Sequence, residues 1–179
     1  MIDVADVNGF IPSACKTFLR DEISEEGAAG TVTRDVFEEW VKECLCPILD
    51  DYSKGQNRSI VMLGNASTHI SRRVVDMIEE KGAKVLYTAP FSPDLNPIEI
   101  FFSVYKSFLK KHNDEMIENW EAVHLQALAS VDRDMGIKYY RRCGIPGAKM
   151  MNTKQEIASL NNEIAIVIIV ILIIQSTLN

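Results

Sequence analysis

Basic residues are in short supply in this chain. Its 179 residues hold 19 Lys and Arg against 25 Asp and Glu, a net charge of −6. A protein that neutralises phosphates presents a basic surface, so the balance argues against a free-standing nucleic-acid binder. The deficit is concentrated: residues 1–51 are strongly acidic and residues 52–179 close to neutral. Cysteine is scarce as well. Cys15, Cys44, Cys46 and Cys143 form neither C-x-x-C knuckles nor a dense disulfide frame, and His69, His112 and His124 are scattered. Structural zinc is thereby disfavoured, and reduced thiols are expected. The opening MIDVADVNGF lacks a basic n-region and a long apolar stretch, so no secretory signal is expected and a nuclear or cytoplasmic location follows. No internal repeat is visible.

What is present suffices for one ordinary domain: 47% of residues are apolar and 25% charged. Residues 1–7 and 10–19 read as strands around an Asn8-Gly9 turn. A polar loop covers 21–30. Thr33 caps a helix whose Val36, Phe37, Trp40, Val41, Cys44, Leu45 and Ile48 recur at helical spacing, with Pro47 near its end. After a loop at 51–58, Ser59–Leu63 is a continuous apolar run suited to a strand covered on both faces. A helix over 71–81 closed by Gly82, and a strand over 84–88, come next. Beyond a loop at 89–96, Pro97 opens a helix with Ile98, Phe101, Phe102, Tyr105, Phe108 and Leu109 on its apolar side. One more helix is predicted over 114–131, and the text after Arg142 is irregular. Such an order describes an α/β layered domain with helices packed on a central mixed sheet.

One segment stands apart. Ile164–Ile174 is an unbroken apolar run, mostly β-branched. As a helix it spans about 16 Å, half of a bilayer core. A buried strand or helix, a weak membrane anchor, and unrelated appended sequence are the three readings open for it. The tail 147–179 is therefore set apart from a domain over 1–146.

Two stretches carry chemistry. MLGNASTH, 62–69, places Gly64 and Asn65 at the C-terminal end of a buried strand, where α/β sheets put reactive groups. YTAPFSPDLNPIEIFFSVYK, 87–106, places Glu99 in the first turn of a helix, where a carboxylate can ligate a hard divalent cation. Glu99 also follows Asn96 and Pro97 in a pattern that predicts an N-cap with a carboxylate at the third helical position.

Together these stretches resemble the catalytic core of the mariner-type, insertion-sequence-related transposases of the DDE superfamily. Asn65, Ala66 and His69 match one family motif, and Pro90 through Glu99 match the second without a gap. The resemblance covers about residues 5–146. It implies a ribonuclease-H-like fold in which three carboxylates hold two Mg²⁺ (or Mn²⁺) ions about 3.5–4 Å apart for cleavage and joining of DNA. It assigns Glu99 as the third carboxylate and as the metal ligand if a metal binds.

The departures from the family are as informative. Gly64 stands where the second catalytic Asp belongs, and the spacing to Glu99 supports that alignment. The strand carrying the first Asp precedes the hairpin in the family and is expected to be lacking here, which makes Asp3 and Asp6 poor substitutes. Helix-turn-helix modules that recognise DNA are expected to be absent too. Arg72, Arg73, Lys106 and Lys110, with Lys111, Arg141 and Arg142, are the remaining candidates for DNA contact. The expected protein is a catalytically impaired transposase derivative, with pairing to a second copy or to a full-length transposase as its partner reading. The alternative is a non-enzymatic interaction protein on a relic core, with the tail as a weak membrane anchor.

Overall fold

The computed structural model describes residues 2–16, 32–64, 71–145 and the strand 166–169. Strand β1 (Val4–Asp6) turns at Asn8-Gly9 into β2 (Gly9–Phe10), pairing Ala5 with Phe10 and Asp6 with Gly9. The hairpin is as expected, but its second strand is shorter. Pro12 has no amide to donate and opens a 3-10 turn over Pro12–Ala14, after which one bridge joins Ile2 to Lys16.

Helix α1 (Arg34–Trp40) starts where Thr33 accepts the Val36 amide at 3.4 Å. It continues as a π-turn over Val41–Leu45 and a 3-10 turn over Cys46–Ile48. Pro47 explains the change of pitch. Its ring excludes the carbonyl four residues back, and the Cys46 amide reaches to Val41 instead. Then follow β3 (Ile60–Leu63), α2 (Arg72–Glu80), Gly82 in the left-handed region at φ 85°, and β4 (Lys84–Tyr87). Helix α3 (Pro97–Lys111) buries Ile98, Phe101, Phe102 and Tyr105 as its periodicity predicts.

The helix predicted over 114–131 is two helices, α4 (Asn113–Glu118) and α5 (Trp120–Ala129). Asn119 divides them, because its side chain accepts the Ala122 amide at 3.2 Å and starts a new cap. Helix α6 (Arg133–Arg142) was not foreseen. Asp132 caps it by accepting the Met135 amide at 2.9 Å, a signal masked in the sequence by Gly136 inside the helix.

The sheet is mixed, in the order β2-β1-β5-β3-β4, where β5 is Ile166–Ile169 from the apolar run. β3 is parallel to both β4 and β5, and β1 is antiparallel to both β2 and β5. Side chains alternate along the strands, so the sheet has two buried faces. On one, Ile2, Val4, Val61 and Leu63 pack with Phe37, Trp40 and Leu45 of the α1 region and Val74 and Ile78 of α2. On the other, Ala5, Val7 and Phe10 pack with α3, α5 and α6 through Phe101, Phe102, Leu128, Ile137 and Tyr140. The four cysteines are free thiols. Among the described residues no helix is long and apolar enough to cross a membrane.

Candidate functional site

The start of α3 is set by its loop. A 3-10 turn over Pro93–Leu95 leads to Asn96, and Pro97 supplies the φ that a first helical residue needs. The expected side-chain cap does not form. Asn96 is buried and its Oδ1 has no hydrogen-bond partner; the Glu99 amide instead donates to the Asn96 backbone carbonyl at 3.2 Å. The side chain is drawn into the interior, away from the amides it would cap.

Glu99 lies half-buried in the first turn of α3. Burial pushes its carboxyl above the usual range, and Lys106 two turns further on offsets this in part. Its carboxylate takes part in none of the hydrogen bonds or ion pairs formed among the described residues. A desolvated carboxylate of this kind is a capable cation ligand, but one ligand does not make a two-metal centre.

Gly64 follows β3, and the ladder holds the strand end in place through the Thr88 amide donating to the Leu63 carbonyl at 2.9 Å. Glycine offers no side-chain ligand there. Asn65 and His69 lie outside the described residues. The strand beside β3, Ile166–Ile169, contains no carboxylate. Among the described residues no group of three or more His, Cys, Asp or Glu could hold a metal ion. Hard divalent cations require several oxygen ligands each, and among the described residues no such donor set surrounds Glu99.

The basic candidates do not converge. Arg72 and Arg73 sit on α2, over one face of the sheet, while Lys106 and Lys110 are exposed on α3, over the other. Arg72 is paired with Asp76 at 2.9 Å and Arg73 with Glu38 at 3.2 Å. Glu38 also accepts the Ser71 hydroxyl at 2.7 Å, so this cluster ties α2 to α1. Lys106 and Lys110 share one stripe of α3, the stripe that Lys106 shares with Glu99. Arg141 and Arg142 stand in the last turn of α6, where they complement the helix dipole.

Two features escaped the sequence reading. Asp3, on the α3 side of the sheet, is fully buried with both carboxylate oxygens unpartnered. Burial pushes it up to about 7, and interaction with the adjacent Cys15 thiol offsets this only partly. Nothing in a strand pattern distinguishes such an aspartate from a solvent-facing one. Phe91 is fully exposed with φ 56°, a backbone region costly to a bulky residue. Its position between Pro90 and Pro93 was the available signal. Asp6, by contrast, is occupied: it accepts from Arg58 at 3.2 Å and from the Asn8 amide at 2.7 Å.

A family model described as DDE superfamily endonuclease matches residues 21–121, more than half of the chain. No curated protein and no solved structure matches it.

Proposed function

The chain belongs to the DDE superfamily endonucleases, and from that premise we propose that it is a mariner-type, transposase-derived domain of ribonuclease-H-like architecture whose catalytic centre is impaired. The family acts on DNA and generally uses divalent metal ions. The observation that carries the proposal is Gly64 directly after β3, where the family resemblance expects a carboxylate, with Glu99 in the first turn of α3. A residue without a side chain could not supply a carboxylate to hold a metal ion at this position. The loss of one essential ligand removes transition-state stabilisation that the remaining groups cannot supply.

Three further observations support this reading. The strand next to β3 is apolar. The arginines of α2 are committed to acidic partners rather than aligned with the lysines of α3. Mixed parallel and antiparallel strands covered by helices on both faces suit the proposed architecture. The second reading, a non-enzymatic interaction protein, is favoured by the exposure of Phe91 together with Leu86, Tyr87 and Leu95 around β4 and the loop after it.

The test is nicking of supercoiled duplex DNA by the purified chain with Mg²⁺ or Mn²⁺. We expect no nicking above background from the wild type, and none from Gly64→Asp. Robust metal-dependent cleavage that disappears in Glu99→Ala would overturn the proposal.

A further inference from the structure

β1 and β3 do not pair with one another. Each uses its inner edge to bind β5: Val4 pairs with Ile169 and Ala5 with Ile168 on one side, while Ile60, Val61 and Met62 pair with Ile166, Val167 and Ile168 on the other. Adjacent strands lie about 4.8 Å apart, so emptying this position would leave a gap of about 10 Å that no ladder hydrogen bond can span. The unpaired edges would lie beneath both helical layers, where an unsatisfied backbone group is costly.

This position also dictates what can fill it. One face is covered by the packing of Val4, Val61 and Leu63 with the α1 and α2 layer, and the other by Ala5 and Met62 with the α3 layer. A strand covered on both faces reads as a continuous apolar run rather than an alternating one. Ile164–Ile174 is such a run, and its β-branched content favours a strand. A strand that leads into β1 in an antiparallel meander would pair at the same free edge, since consecutive strands are usually neighbours. β5 has the direction required of it, antiparallel to β1.

We propose that the space between β1 and β3 is a strand-acceptor site filled by Ile166–Ile169 of the chain's own C-terminal apolar run. On the ribonuclease-H-like reading above, on which this part rests, the run takes the place of the strand that leads into β1 and bears the first carboxylate. The run then completes the sheet while setting an uncharged strand beside β3. The same segment that holds the fold together keeps carboxylates out of the site.

Two measurements on the full-length chain test this. In the double variant Ala5→Cys and Ile168→Cys, mild oxidation followed by non-reducing peptide mapping should join positions 5 and 168 within one chain. Independently, Ile168→Lys should speed hydrogen exchange at least about tenfold in peptides spanning Val4–Asp6 and Ile60–Leu63, with Ile168→Val close to wild type. A 5-to-168 link found between two chains would overturn the assignment in favour of a second copy. Absence of the link, with unchanged exchange in Ile168→Lys, would overturn the acceptor site itself. Neither result depends on DNA cleavage, so the nicking assay can fail or succeed without affecting it.

Discussion

The two faces of the sheet treat their buried polar groups differently. Against α1 and α2 each of those among the described residues is satisfied: the Trp40 indole donates to the Ala14 carbonyl at 2.8 Å, the Ser59 hydroxyl to the Gln56 carbonyl at 2.7 Å, and Glu38 is held by Ser71 and Arg73. The α3 side carries Asp3 Oδ1 and Oδ2 and Asn96 Oδ1, which are buried without partners. The Tyr105 hydroxyl and His124, on the same side, do satisfy each other at 2.8 Å. One layer is built for stability. The other holds the family's motif and retains polar groups that a core optimised for packing would not keep.

The largest effects should come from apolar truncation, and should be equal on the two faces. Trp40 and Phe101 are both fully buried, Trp40 stacked on Phe37 and Phe101 edge-on to Phe10 and Tyr139. Trp40→Ala and Phe101→Ala should each cost about 3–5 kcal/mol in denaturant unfolding. A much smaller loss for Phe101→Ala would show that the α3 layer is loosely packed, and the comparison would have to be redrawn.

Next in size is a pH effect confined to the α3 face. The folded state holds the Asp3 proton up to a pH of about 7, whereas the unfolded chain releases it near the ordinary 3.8. Stability from this group is therefore complete below the unfolded value and is lost as pH rises through the folded one, by roughly 2–4 kcal/mol. The melting temperature should fall between about pH 4 and pH 7, and Asp3→Asn should flatten that slope. If the slope persists in Asp3→Asn, another group is responsible.

Gly136→Ala should be milder, at about 1–3 kcal/mol, because its Cβ would collide with the Val7 carbonyl oxygen where α6 meets the hairpin. Smallest is the rim of the satisfied face. Arg72→Ala should cost no more than about 0.5 kcal/mol, since the Arg72–Asp76 pair is solvent-exposed. A loss above 1 kcal/mol in the same unfolding assay would make that pair part of the layer rather than its surface.

Much of this organisation was legible in the sequence wherever one local rule decided the outcome. The apolar spacing of Ile98, Phe101, Phe102 and Tyr105 marked the buried stripe of α3, Gly82 the end of α2, and Asn8-Gly9 the hairpin. Errors arose where a single side chain competed with periodicity, as with Asn119 dividing a helix and Asp132 starting one. The motif marked Glu99 and the glycine at 64, yet the burial that removes the Asn96 cap and isolates Asp3 depends on tertiary packing that no spacing encodes. The apolar run was ambiguous for the same reason. Eleven uncharged residues leave a strand, a helix and a weak membrane anchor all open, and the choice lies with the partner edges of β1 and β3.

On the proposed function, Glu99 of this DDE-family chain stands without the carboxylates that a two-metal centre needs. Titration of the full-length chain with Mn²⁺, followed by electron paramagnetic resonance of the free ion, tests it most directly. No Mn²⁺ should bind more tightly than about 1 mM, and Glu99→Ala should change nothing. Two Mn²⁺ ions bound per chain at micromolar affinity, and lost in Glu99→Ala, would contradict it.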